Sequence, residues 1–447
     1  MPCTSMVAAA TDTRHDSVRR ATSAGTSTPR SSRAARARRP KGKAPARARG
    51  RRNRERLGNT AESAAIAGQS VDRRVEYRPD RYRARAWLST VRTEQHQKRW
   101  RDCGRASING GGAVGLRITS SPNGRAAGYS GLATCGSPWA CPVCSAKIAQ
   151  GRTQELDKLL VWNAERGGSV ALASFTMRHH KGTRLRDERK ALSVAWRHIT
   201  SHRAWKTTRK ALGCDGYVRA IDVTTTDTAG WHLHIHVLLI FDGPVSQELI
   251  EPWTDELYTL WSAGLAKSGF TASRERGVDV RVGEGALDGL GKYLNKLTYE
   301  TAGARFKRGK KGKDGIRSRT PFEVLDDAIN DGRADDFDLW FEWERDSKGM
   351  QQLLWSNGLK DRVGVDDKSD EDLAEEEIDG EDVALISAES WTTVYWLAAD
   401  LLTAAEADGT RGAFAWLDQH GIDYEPYPTR CESPSASDRL GLTRPTE

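Results

Sequence analysis

The sequence lacks any run approaching the ~20 apolar residues of a membrane span. No apolar core follows Met1 as a secretory signal would require. Internal repeats are absent. Cysteine is sparse, with seven in 447 residues. The odd count, and the crowding of three of them into residues 135–144, exclude an ordinary disulfide framework. These absences lead us to expect a soluble, cytoplasmic protein in a reducing compartment, too long for a single domain.

What is present begins with charge. The formal net charge is +9, and residues 14–56 hold 16 Lys and Arg against only Asp16 and Glu55. The rest of the chain is therefore slightly acidic, a near-neutral body behind a basic arm. Such an arm ordinarily meets a polyanion, most often nucleic acid. Its Arg/Ser/Ala composition also fits an organellar transit peptide or a start codon placed too early.

Composition and periodicity divide the chain. Residues 1–84 read as a disordered basic arm. Residues 85–150 form a Gly- and Cys-containing segment, and residues 151–362 a core. Residues 363–389, centred on the acidic stretch 366–382, read as a solvated linker, and residues 390–447 as a helical appendix with a tail. Within the core, helix is predicted over 151–165, strand over 169–177 and helix over 184–212. Strands follow over 217–224 and 231–241, then a helix over 246–269, a strand over 277–282 and a helix over 286–300. From residue 169 this order is β-α-β-β-α-β-α, the split βαβ pattern with one added helix. The expected class is α+β, an antiparallel sheet with helices on one face.

The stretch "GWHLHIHVLLIF" (230–241) places His232, His234 and His236 on every second residue of an apolar strand. Alternation puts all three on one face, with neighbours ~7 Å apart. A lone imidazole there is most simply a satisfied core or surface histidine; three together need an organised partner. The turn "TTDTAG" makes the two preceding strands a hairpin. Centring it on Thr228 sets Asp222 opposite His234, and directly paired residues share a face. Two histidines and a carboxylate leave open positions on a divalent ion, and Mg²⁺ or Mn²⁺ suits phosphate substrates. His232 stands as a substitute ligand or a DNA contact.

Tyr293 and Lys296 in "GKYLNKLTYE" share a helix face. They read either as a core tyrosine with a snorkelling lysine or as a nucleophile beside a cation. A phenol with a pKa of ~10 needs such help at neutral pH. "CGSPWACPVC" supplies Cys135, Cys141 and Cys144, and "RDCGR" supplies Cys103, a fourth thiolate for a tetrahedral structural zinc. The competing reading is a redox C-x-x-C. Cys3, Cys214 and Cys431 stand apart from this cluster. The basic loop 305–319, with Lys307, Arg308, Lys310 and Lys311, reads as a DNA contact or as a solvated loop.

Together, "FTMRHHKGTRL", "WHLHIHVLL" and "KYLNK" resemble the three motifs of the HUH-endonuclease superfamily, specifically rolling-circle plasmid replication initiators of the actinobacterial type. The likeness covers roughly residues 100–360, and the cysteine cluster resembles the segment before the first motif in that group. The resemblance implies a ferredoxin-like nuclease core, His234 and His236 as metal ligands, and Tyr293 as the nicking nucleophile. It implies site-specific nicking and religation of single-stranded or extruded origin DNA through a 5′-phosphotyrosine link. The partners implied are a host helicase and DNA polymerase. Gly289 occupies the position where some members carry a terminating Glu, which leaves Asp288 or Glu300 for that role. A conjugative relaxase or single-tyrosine transposase would share this chemistry. A non-enzymatic zinc-containing DNA-binding regulator, its histidines structural, would bind DNA but never become covalently attached to it.

Overall fold

A computed structural model describes residues 77–94, 96–108, 112–121, 124–283 and 317–427. The chain first forms α1 (Arg78–Val91), α2 (Lys98–Asp102), the hairpin β1 (Val114–Ser121) and β2 (Gly124–Ser130), and α3 (Pro142–Glu165). It continues through β3 (Ser169–Thr176), α4 (Leu185–Ser201), α5 (Arg203–Ala211), β4 (Cys214–Thr226), β5 (Gly230–Phe241), α6 (Gln247–Ala266) and β6 (Val278–Val282). From residue 317 onward come α7 (Pro321–Asp331), α8 (Ala334–Asp346), β7 (Leu353–Trp355) and α9 (Leu359–Val363). The last elements are α10 (Asp370–Glu375), β8 (Glu381–Ile386), α11 (Ala388–Gln419) and β9 (Tyr424–Pro426). The class is α+β, as expected, with two antiparallel sheets among the described residues.

The central sheet has the order β6-β3-β5-β4-β7, every neighbour antiparallel. Alternation along β5 assigns its two faces. Trp231, Leu233, Ile235, Val237, Leu239 and Phe241 join Ala171, Ala173 and Phe175 of β3 in the main core, under α4, α6, α7 and α8. On the opposite face, Leu238 and Ile240 lie with Val170, Leu172 and Val218 beneath Leu156 and Leu159 of α3 and Leu359 of α9. Helices therefore cover both faces, where one was expected. The reason is compositional: one half of these strands is apolar at every position, so water must be excluded from both sides. The other half of the second face is polar, carrying His232, His234 and His236.

Two further expectations change. The helix predicted over 184–212 is two helices, because His202 adopts an extended backbone between them. Its Nδ1 accepts from the Ala204 N–H at 3.2 Å, so it caps α5 where an uninterrupted helix would have buried no partner. Helix α1 opens at Arg78, inside the stretch expected to be disordered, because Ala86 and Leu88 are fully covered.

The acidic stretch is folded rather than solvated. Ser369 and Asp372 cap α10 reciprocally, Leu373 and Ala374 are buried, and β8 pairs with β1. Its acids find arginines from the N-terminal half: Arg152–Asp370 at 2.7 Å, Arg99–Glu371 at 2.7 Å and Arg117–Asp382 at 3.1 Å. The second sheet, β2-β1-β8-β9, thus joins residues 114–130 to residues 381–426, with α11 packed on it through Trp391, Val394, Ala398 and Leu402.

Candidate functional site

The three-residue turn Asp227–Ala229 sets the register of the β4–β5 hairpin. Asp222 pairs with His234, Ala220 with His236 and Thr224 with His232, the pairing expected from the turn. Arg319, almost fully buried, donates to Asp227 at 2.9 Å and Asp327 at 3.0 Å and lies 2.9 Å from Asp336. Burial opposes its charge, but these carboxylates raise its pKa above the ordinary value. Its backbone also bonds Thr225 in both directions, which locks the turn end of the hairpin.

On this frame the Asp222 Oδ2 lies 2.6 Å from His234 Nε2 and 3.6 Å from His236 Nε2. One ligand atom from each of the three residues falls within 4.8 Å of the other two. The His236 Nδ1 is 2.9 Å from the Ser174 hydroxyl, on the neighbouring strand. With the proton on Nδ1, that N–H donates to Ser174 and the Nε2 lone pair can bind an ion shared with Asp222. The His234 Nδ1 is buried without a hydrogen-bond partner. A buried carboxylate facing two imidazole nitrogens, with part of each ring exposed, fits a divalent ion that keeps positions open for oxygen ligands. His232 is not one of the three. Its ring stacks on His179, with centroids 4.4 Å apart at 14°, and stands 5.2 Å from the His234 ring.

Beneath the same strand, on the core face, lies a different carboxylate. Glu188 of α4 is fully buried and accepts from the Leu233 N–H at 3.4 Å, while its other oxygen has no partner. Burial pushes this carboxyl up to about 8.

The second cluster gathers Cys103, Cys135, Cys141 and Cys144, all buried. Cys103 ends α2, and Cys141 and Cys144 flank the first turn of α3, where Pro142 starts the helix. Their sulfurs lie 3.5 Å (Cys103–Cys144), 3.6 Å (Cys135–Cys144) and 3.7 Å (Cys103–Cys141) apart. Four thiolates around a zinc at ~2.3 Å would stand about 3.8 Å apart, so the geometry fits that ion and not a disulfide. Hydrogen bonds from Cys103, Cys135 and Cys144 hold Cys141 well below the usual thiol range. Cations surround the cluster. Burial opposes the charge of Arg85, but Tyr395, Tyr82 and the thiols of Cys103 and Cys141 raise its pKa above the ordinary value. Gly104 is required beside it: a Cβ there would lie 2.2 Å from the Arg85 guanidinium. Arg92 ties this region to α8 through a fully buried pair with Glu344 at 2.7 Å, and donates also to the Trp100 carbonyl at 3.0 Å and to the Ala140 carbonyl.

With both clusters in place, comparison with known proteins is informative. Residues 130–262 match the model of a replication protein family. The chain is 27% identical over 354 residues to "Protein rep" of Streptomyces lividans, an alignment covering 63% of this chain and 76% of that protein. The chain is thus similar to replication proteins, one of them from Streptomyces. It is also 28% identical over 177 residues to a "Neomycin resistance protein" of Streptomyces cyanogenus, covering 31% of this chain and 40% of that one. No solved structure gives a significant match. The family match takes in Cys135, Cys141, Cys144, Asp222, His234 and His236.

Tyr293, Lys296, Lys307, Arg308, Lys310 and Lys311 lie outside the described residues, as do Asp288 and Glu300. Sequence reasoning missed Ser174, His179, Glu188 and Arg319. Ser174 left a faint signal, since it interrupts the apolar strand "SVALASFTM" at a position sharing the face of Leu172. The other three depend on contacts that no local pattern encodes. No helix among the described residues is long and apolar enough to cross a membrane.

Proposed function

We propose that this protein is a plasmid replication initiator of HUH-endonuclease type, which nicks and religates origin DNA by transesterification onto a tyrosine. The observation that carries the reading is the Asp222–His234–His236 set, three groups able to hold a metal that converge on one face of a hairpin. The sheet supports it, because the strands from β3 to β6 stand in the order of a ferredoxin-like core. The replication-protein relatives supply the biological setting.

In this reading Asp222, His234 and His236 would hold Mg²⁺ or Mn²⁺, which would supply Lewis acidity toward a phosphoryl oxygen. Asp222 and the two Nε2 atoms bind; Ser174 orients His236. Tyr293 is the nucleophile. Its oxygen attacks phosphorus, the bond from phosphorus to the 3′ oxygen breaks, and the phenolic proton leaves as the 3′-hydroxyl gains one. Lys296 favours the phenolate. The phosphotyrosine link keeps the bond energy for closing the displaced strand. Arg319 is bonded to Thr225 at the histidine end of the hairpin. Lys307, Arg308, Lys310 and Lys311 would meet the DNA backbone. The four cysteines hold a structural zinc. A host helicase and polymerase then act on the nicked origin in the cytoplasm.

The test is covalent capture. Single-stranded DNA from the replicon around the gene is incubated with protein and Mn²⁺, denatured in SDS and resolved for a DNA-shifted band. The expected band requires Tyr293, and is lost in Tyr293→Phe and in His234→Ala/His236→Ala. Absence of a band on every fragment, with tight DNA binding retained, would point instead to a DNA-binding regulator.

A further inference from the structure

Several buried and half-buried arginines of the fold pair with carboxylates. Arg78, Arg92, Arg117, Arg152 and Arg319 all have acidic partners. A cleft of about 680 Å³ between the β3–α4 loop and the end of α6 is lined instead by solvent-exposed cations. Arg178, Arg184, Lys190 and Lys267 line it, with His179 and His180, against the single acid Asp187. The charges of Arg178, Arg184 and Lys190 have no ion-pair partner among the described residues. Lys267 bonds only the His198 ring, at 2.8 Å. Unpaired cations converging on a cleft invite an anion with several charges.

The cleft is continuous with the metal-ligating set. His179 lines it and stacks on His232; the His232 ring is 5.2 Å from His234, and His234 is 4.9 Å from His236. A row of four imidazoles therefore runs from the cationic cleft to the triad.

We infer that this cleft is the track for single-stranded DNA, in which Arg178, Arg184 and Lys190 hold consecutive phosphates on one side of the metal-ligating residues and the His179–His232 pair offers a ring face to a base. The inference rests on the nuclease reading above and names the path of its substrate. Because phosphate neutralisation is read in the salt dependence, each cation lost should flatten the slope of log K against log salt by about 0.7 on a single strand.

The experiment uses the full chain and a fluorescein-labelled 20-mer of thymidine, titrated by anisotropy between low and moderate salt. For Arg178→Gln/Arg184→Gln/Lys190→Gln the slope should fall by about 2 and binding at moderate salt should weaken roughly tenfold or more. Asp187→Asn should shift binding the opposite way, tightening it severalfold. A charge-matched control, Arg203→Gln/Lys206→Gln/Lys210→Gln on α5, should leave both quantities near wild type. A slope unchanged in the triple variant, or lowered equally by the control, would overturn the track. His234→Ala/His236→Ala separates the two ideas. If it forms no adduct yet binds the 20-mer normally, the track stands whatever becomes of the nicking reading. If the wild type nicks while the triple variant binds and nicks unchanged, the nuclease stands and the track fails.

Discussion

The two clusters that could hold a metal meet opposite fates in the fold. Cys103, Cys135, Cys141 and Cys144 are sealed, none more than 2% exposed. The triad keeps the rings of His234 and His236 15% and 19% exposed around a buried Asp222. The cysteine site is closed by four donors from three segments, walled by α10 and the ends of α2 and α3. The histidine site offers three donors from one hairpin on the uncovered half of a sheet. A closed tetrahedral set has nothing left to bind, whereas an open set of three can accept a substrate oxygen. The difference teaches that ligand chemistry says where a metal goes, and the packing around it says what the metal is for.

The comparison breaks most visibly at the sealed site. Cys135→Ser should lower stability by more than ~4 kcal/mol, because the metal's binding free energy there is folding free energy. Metal content by plasma emission and a thermal melt, with and without chelator, check this; an unchanged melt after complete zinc removal would make the cluster an ornament. At the open site the expected effects reverse. His234→Ala/His236→Ala should cost roughly a thousandfold or more in adduct formation, yet shift stability by only about 1 kcal/mol, since the rings line an open surface. A collapse of the fold in that variant would erase the distinction drawn between the two sites.

Two carboxylates on the opposite faces of the histidine hairpin sharpen the contrast further. Asp222 faces imidazoles; Glu188 faces a single backbone N–H and apolar side chains. With the Glu188 carboxyl raised from 4.5 to about 8 by burial, the folded state holds a proton that the unfolded chain releases. Below the unfolded pKa both states are protonated and there is no penalty. As pH rises between the two values, the unfolded chain ionises first and stability drains away. Glu188→Gln should therefore match wild type near pH 4 and exceed it by on the order of 3 kcal/mol at pH 8. Parallel urea titrations across that range decide it, and a gap independent of pH would mean that Glu188 is paired after all. The smallest effect belongs to Ser174. Ser174→Ala removes the acceptor for His236 Nδ1 and should weaken Mn²⁺ binding at the triad about tenfold, with zinc content untouched. Isothermal titration with Mn²⁺ on the zinc-loaded protein reads this directly.

Much of the site was legible before any coordinates. The Asp222–His234 pairing followed from the length of the "TTDTAG" turn, because a hairpin turn fixes register and a strand alternates faces. The cysteines were legible by type, with Cys103 found by chemistry rather than by spacing. The acidic stretch was misread because its local composition is that of a solvated linker, while its partners Arg99, Arg117 and Arg152 lie more than two hundred residues earlier. The split of one helix at His202 was missed for a smaller reason, a single side chain capping the next helix.

The sequence by itself determined the α+β class, the hairpin register and the membership of both clusters that could hold a metal, since each depends on alternation, turn length or donor chemistry within reach along the chain. Only the tertiary structure decided which cluster is closed and which is open. It also placed Ser174 against His236 and His179 against His232, and joined residues 114–130 to residues 381–426 in one sheet. Those outcomes depend on which distant surfaces must be hidden from water together, and local pattern carries no record of them.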